Sequence, residues 1–367
     1  MVDYVIPSFE KTSEKIIKNL KPNFYIKGPD YIDVKKDITG QLKKEKKIIK
    51  SYGGKIIFTD GKTYSSSKLL RLEGLSYSNE QKKFINKLVL KNNYLNIKKN
   101  IDLLKNKKVL ILGETIIDRY IFCEAVGKSG KEPMLVFSED IKEEYLGGSA
   151  SIVKQVSNFS KKINFITNIG EKNEYASFVK KKIGQNIKID FIKKKNSPTI
   201  IKKRYVDRIN KVKLFGVYTM NDKVLNPTQD AALRNKLVKY LKINDLVIVS
   251  DYGHGLISKA NAKLLCKNAN FLAVNCQINA NNAGYHGLRK YQGVDVVLIN
   301  ENELRYELHE KNEKLEILIK ILCKKHKIKY LVVTSGLYGA LFYDSKKNKF
   351  IKAPAFGKAV IDKVGAG

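Results

Sequence analysis

The sequence is poor in the features that announce a secreted, membrane-spanning or nucleic-acid-binding protein. Of its 70 basic residues only seven are arginine, so the formal charge of +34 is almost entirely lysine, spread along all 367 positions. Dispersed lysine forms a solvated surface rather than the clustered footprint that reads phosphates, and no nucleic-acid partner is expected. The four cysteines, Cys123, Cys266, Cys276 and Cys323, have no CxxC spacing and little histidine beside them. That excludes a disulfide framework, gives no zinc signature, and fits a reduced, cytoplasmic location. No apolar run approaches the ~18 residues of a membrane span. The first 30 residues also lack an apolar signal core, so no membrane partner is expected.

What is present is a globular composition, 43% hydrophobic, with length for about two domains. Apolar β-branched runs at 108–114 (KVLILGE), 163–170, 245–251 (DLVIVSD), 271–275, 295–300 (DVVLIN) and 330–336 predict strands buried on both faces. Between them lie helical stretches such as 313–327, where Leu315, Leu318, Ile319 and Leu322 recur at helical spacing. Alternating strand and helix predicts a parallel sheet with helices on both faces. Segments 119–148 and 198–220 read as hairpins forming a small sheet outside the main one. Residues 1–72 form a separate unit, with strands at VDYVIPSF and KIIFTD and a helix at KKEKKIIKSYG, and the lysine-rich 73–106 reads as a helical connector.

Ligands of open parallel sheets bind beyond the carboxyl ends of strands, so polar residues following the apolar runs are the site candidates. Asp118 and Arg119 follow the first run, where an aspartate is more often a turn or cap residue than a ligand. Gly147 and Gly148 open a helix, either as a ligand approach or as a simple turn. Asp251 ends another strand, as a ligand or as a helix cap. Asn300 and Glu303 are spaced to hold Mg²⁺-bound water, or to form a capping box. Thr334, Gly336 and Gly339 bracket a glycine turn that reads also as a hairpin. The chain stops on DKVGAG, a small-residue turn suited to an anion at a helix start, or a mobile tail.

In this order the motifs resemble the ribokinase-like (PfkB) sugar kinases, whose last motif reads D-x-x-G-A-G-D. Asp362 and Gly365–Ala366–Gly367 match it up to the final aspartate, which the resemblance makes the general base and places one residue past Gly367. On that reading the chain as given is truncated and turns over slowly. The resemblance implies a three-layer α/β/α sandwich with a small β lid over 107–367. It also implies ATP and Mg²⁺ as cofactors and self-association through the lid. The sugar or sugar phosphate would sit against Asp118, Arg119, Gly147, Gly148, Ser151 and Asp251. The nucleotide would border Thr334, Gly336, Gly339 and Asp362, with the metal at Asn300 and Glu303 and the anion hole at Gly365–Gly367.

The N-terminal unit, with FYIKGPDY at 24–31, GGKIIFTD at 53–60 and YSSSKLL at 64–70, resembles the second half of a Rossmann-like cytidylyltransferase domain. The HxGH motif of the first half is absent; the histidines are His254, His286, His309 and His326. The resemblance implies that Lys27, Ser65, Ser66 and Ser67 meet the phosphates of a second nucleoside triphosphate. Kinase and transferase together resemble the bifunctional ADP-heptose synthases of lipopolysaccharide biosynthesis, with the transferase first rather than last. Ser151 replaces the family's asparagine, and 274–282 (VNCQINANN) replaces its aspartate-proline-lysine segment. Two other classes compete: a non-catalytic sugar-phosphate or nucleotide sensor on the same fold, and a nucleic-acid binder.

Overall fold

The computed structural model describes residues 12–28, 41–59, 77–91, 94–184, 187–279 and 282–357. It comprises two units, Met1–Ser78 and Asn79–Gly367.

In the first unit, strand β1 (Phe24–Lys27) pairs in parallel with β2 (Lys55–Phe58). Two parallel strands need a crossover, and here it includes the helix Gln41–Ser51. Leu42, Glu45 and Ile49 recur at helical spacing and are buried, as is Ile17 of the helix Glu14–Leu20. A glutamate on that apolar face requires partners, and Glu45 receives Lys27 Nζ and the Ser13 hydroxyl. Lys27, expected at a phosphate, is thus paired inside its own unit. Ser65, Ser66 and Ser67 lie outside the described residues.

The second unit begins with helices Asn79–Lys91 and Tyr94–Leu104, where the sequence predicts a helical connector. The first of them contacts the far end of its own unit. Gln81 Nε2 donates to the Ala355 carbonyl at 2.6 Å, Glu80 meets Lys352 at 3.0 Å, and the Phe84 ring stands edge-on to Phe356.

The strands of this unit are β3 (Lys108–Gly113), β4 (Thr115–Lys128), β5 (Leu135–Gly147), β6 (Lys162–Gly170), β7 (Lys188–Lys194), β8 (Ile200–Asp207) and β9 (Lys213–Thr219). They continue with β10 (Leu246–Asp251), β11 (Leu272–Cys276), β12 (Val296–Asn300), β13 (Tyr330–Thr334), β14 (Ala340–Asp344) and β15 (Lys349–Ala353). Nine of them form one sheet in the order β15-β14-β13-β12-β11-β10-β3-β6-β7. The seven from β13 to β7 run parallel, β14 runs antiparallel to β13, and β15 pairs antiparallel with β14. The alternation of side chains along β3 shows why these runs are apolar throughout. Leu110 and Leu112 enter one core with Leu233, Leu237, Leu265 and Leu322, while Val109 and Ile111 enter the opposite core with Ala150, Val153 and Val179. Each fully buried aliphatic side chain contributes about 1.5–3 kcal/mol. Helices therefore cover both faces, the α/β class expected from the alternation of elements.

The remaining strands make a second sheet, β5-β4-β8-β9. β4 leaves the main sheet after a single residue, Glu114, and pairs antiparallel with β5 and parallel with β8. This is the outer sheet read from segments 119–148 and 198–220. No helix among the described residues is long and apolar enough to cross a membrane.

Candidate active site

The carboxyl ends of β3, β10, β11 and β12 converge where β4 departs, and the junction is built around Glu114. Its side chain is fully buried between Gly113 and Thr115. One oxygen accepts the Tyr252 amide at 3.0 Å, and the other accepts those of His254 at 3.1 Å and Leu256 at 3.4 Å. A single carboxylate thus satisfies the loop that follows β10. Its backbone carbonyl accepts both the Ser149 amide at 2.9 Å and the Ser149 hydroxyl at 2.8 Å, docking the helix Gly148–Val156. Burial and the nearby negative charge of Asp251 raise the Glu114 carboxyl above its ordinary value.

The glycine pair is required by this docking. A Cβ on Gly147 would lie 2.3 Å from Asp118 Oδ2, and Gly148 holds φ +57° with the Glu114 carbonyl 2.5 Å from where its Cβ would be. Of the alternatives open in the sequence the structure shows the turn, and the absent side chain at 147 leaves Asp118 Oδ2 room. The other oxygen, Oδ1, takes Arg204 Nη1 at 2.5 Å. Lys202 stands opposite Asp118 in the β4–β8 register. Burial lowers the Lys202 ammonium, and Asp118 partly opposes that. Arg119 is held by Glu144 at 2.7 Å and by the Tyr175 hydroxyl. Ser151 lies half-buried in the helix Gly148–Val156.

Asp251, at the end of β10, is 1% exposed. Tyr291 Oη donates to its Oδ2 at 2.6 Å, Lys290 Nζ lies 2.6 Å from the same oxygen, and the Gly253 amide donates to Oδ1 at 3.1 Å. Burial alone would raise this carboxyl, yet Lys290 and His286 hold it below its ordinary value. Behind the loop, His254 Nδ1 meets Asp222 Oδ1 at 2.7 Å, and buried Lys194 donates to the His254 carbonyl at 2.8 Å.

Asn300 and Glu303 form a capping box in full. Asn300 Oδ1 accepts the Glu303 amide at 2.8 Å and Glu303 Oε2 accepts the Asn300 amide at 3.0 Å, while Oε1 accepts the Ile278 amide at 3.3 Å. Burial raises the Glu303 carboxyl. Each of these oxygens keeps a second lone pair, so the pair fits a hydrated Mg²⁺ through its waters; hard cations of this kind retain several. Thr334 ends β13, and Gly336 and Gly339, both at positive φ, shape the turn into β14. A Cβ on Gly339 would fall 2.1 Å from the Ala353 carbonyl, so close strand packing demands that glycine. Asp362, Gly365, Ala366 and Gly367 lie outside the described residues.

The structure thus brings Asp118, Gly147, Gly148 and Asp251 to one sheet edge, with Asn300 and Glu303 two strands beyond Asp251. Sequence reasoning missed Glu114, Lys202, Arg204 and the partners of Asp251. Glu114 had a signal, a carboxylate on a strand end in LGETIID. Lys202 and Arg204 had none, because only the β4–β8 register sets them opposite Asp118 and Tyr120.

A model of the pfkB family carbohydrate kinases matches residues 106–367. Among curated proteins, the Bifunctional protein HldE of Campylobacter jejuni subsp. doylei is 26% identical over 272 residues, 71% of this chain and 54% of that protein. That of Helicobacter pylori is 24% identical over 271 residues, 71% and 56% respectively. The chain spans about half the length of these relatives. Among solved structures, Arabidopsis thaliana ribokinase complexed with ribose and ATP superposes with a TM-score of 0.52 at 15% identity, covering 71% of this chain and 82% of that one. Escherichia coli phosphofructokinase-2 in complex with fructose-6-phosphate gives 0.52 at 16%, covering 71% and 83%. Both have the ribokinase-like arrangement described above. With nearly three quarters of its length matched by the family, and its carboxylates and glycines gathered where the outer sheet leaves the main one, the chain belongs to the pfkB family of carbohydrate kinases.

Proposed function

We propose that this protein transfers the γ-phosphoryl group of ATP to a hydroxyl of a heptose-phosphate-like sugar, as the kinase half of an enzyme that also makes a nucleotide sugar for cell-surface polysaccharide. The observation that carries the kinase reading is Asp118. One of its oxygens is fixed by Arg204, and the other packs against Gly147, where a side chain would displace it. A carboxylate so oriented accepts hydrogen bonds from sugar hydroxyls. Lys202 and Arg204 on the facing strand supply positive charge suited to a substrate that already bears a phosphate. The identity to HldE proteins supports the heptose assignment, and the transferase assignment rests on the sequence resemblance of the first unit.

Phosphoryl transfer asks the protein mainly to align hydroxyl and phosphate and to stabilise growing charge. Asp118 orients the sugar. Glu114 fixes the loop that carries His254, and Lys194 and Asp222 hold that loop from behind. Asn300 and Glu303 would hold Mg²⁺ through its waters, and the ion would neutralise charge on the phosphates. Gly365–Gly367 offer backbone N–H groups as the anion hole by resemblance. The lid carries self-association in the same reading.

The test is ADP release by the product of the whole open reading frame, with phosphorylated and free sugars offered in parallel. Sugar-phosphate-dependent turnover with a lower KM than the free sugar supports the proposal. ATP and sugar binding without turnover would point to a sensor instead.

A further inference from the structure

Cys276 ends β11 directly opposite Asp251 in the parallel register of β10 and β11, and His286 reaches back to both from the following segment. One ligand atom from each of the three lies within 4.8 Å of the others, and Asp251 and Cys276 are buried. His286 Nε2 stands 3.6 Å from Asp251 Oδ1 and 2.9 Å from the Asp251 carbonyl oxygen. Its ring approaches so closely because residue 253 is glycine: a Cβ there would lie 2.7 Å from the ring. The donors that fix Asp251 divide in a telling way. Lys290 and Tyr291 both take Oδ2, leaving Oδ1 with a single amide and facing His286.

We infer that Asp251, Cys276 and His286 form a binding site for a thiophilic divalent cation, of which zinc suits the donors best. Carboxylate, imidazole and thiolate together match zinc, whereas Mg²⁺ and Ca²⁺ prefer oxygen alone. Three protein ligands leave a fourth position open. Lys290 and Tyr291 are the outer partners that orient a ligating carboxylate. Tetrahedral zinc needs donor atoms roughly 3.3–3.8 Å apart, so binding draws the three together by about an ångström. His286 Nε2 exchanges the Asp251 carbonyl for the metal with its proton on Nδ1, and the Cys276 proton leaves to solvent. This site ties the ends of β10 and β11 to the segment 277–291 and does not depend on the proposed substrate.

The test is titration of the untagged whole chain, first stripped with chelator, with Co²⁺ and then Zn²⁺. One Co²⁺ per chain is expected, with a thiolate-to-cobalt charge-transfer band that Zn²⁺ abolishes. Cys276→Ala should remove the band. His286→Gln should weaken Zn²⁺ affinity at least tenfold, and Tyr291→Phe by about 10–100-fold, the usual effect of an outer partner. Circular dichroism confirms that each variant is folded. Absence of the band in the unmodified chain, or a band of equal strength in folded Cys276→Ala, would overturn the assignment.

Discussion

At the scale of single residues, Glu114 and the glycine pair govern the site's shape. Glu114→Gln keeps one accepting oxygen and replaces the other by a donor, so buried amides among 252, 254 and 256 lose their partner. Urea unfolding should show a loss of about 1–3 kcal/mol. Gly148→Ala meets both the left-handed backbone and the Glu114 carbonyl and should cost at least about 1–3 kcal/mol by the same measurement. Gly147→Ala pushes against Asp118 Oδ2, so it should raise the sugar KM more than it lowers stability. The sequence shows these glycines because they lie where a strand gives way to a helix, whereas Asp118, read as a residue following a strand, turn or cap included, lies within β4 and pairs on both sides. It does not show Lys202 and Arg204 as neighbours of Asp118, since a parallel pairing between β4 and β8 joins residues 84 positions apart with no local signal. The alternatives at Asn300 and Glu303 are undivided for a physical reason: a capping box and a holder of metal-bound water use the same oxygens.

At the scale of elements, caps and edge contacts carry the predictions. Glu303→Gln can accept only one of the two amides that the carboxylate satisfies, a loss of about 1–3 kcal/mol. In the proposed mechanism it also lowers kcat in a Mg²⁺-dependent way with little change in sugar KM, which a purely structural cap would not do. A second element junction has a pH signature. Asp190 on β7 receives Lys236 at 2.6 Å and the Tyr240 hydroxyl from the helix Pro227–Ile243. Burial would raise its carboxyl, but these two donors hold it below the ordinary value. A carboxylate depressed in the folded state adds stability that is present above its unfolded value and is lost as pH falls through the folded one. Stability of the unmodified chain should therefore fall on that acid limb more steeply than that of Asp190→Asn. Thermal unfolding between neutral and acidic pH measures the difference. The helix Pro227–Ile243 had a readable start, Asn226-Pro227 with Gln229 three residues after the cap, yet its apolar positions are too diluted by charge to announce it. β1 has only four residues, and β7 mixes lysines and an aspartate with its apolar residues, so neither reads as a continuous apolar run. The long β-branched runs, by contrast, are legible because parallel strands buried on both faces admit almost nothing else.

At the scale of the whole molecule, the two units answer different questions. The larger has the nine-stranded sheet, the outer sheet and the family match, so its fold and class were readable from the order of strand-end motifs. The smaller shows a parallel β-α-β pairing whose Lys27 is committed to Glu45, and its transferase role stands as a proposal. The charge of +34 is distributed and should yield at most weak, strongly salt-dependent association with duplex DNA, checked by a binding isotherm at two salt concentrations. The central claim, that Asp118 holds a sugar for phosphorylation, is tested most directly by steady-state ADP release from the whole reading frame's product, comparing the unmodified protein with Asp118→Asn. One lost charge-assisted hydrogen bond is worth about 1.5–3 kcal/mol, or roughly a tenfold to hundredfold change. The sugar-phosphate KM should rise by that factor while the ATP KM stays within about twofold. An unchanged sugar KM in a folded Asp118→Asn variant, or ADP release indifferent to sugar, would contradict the account.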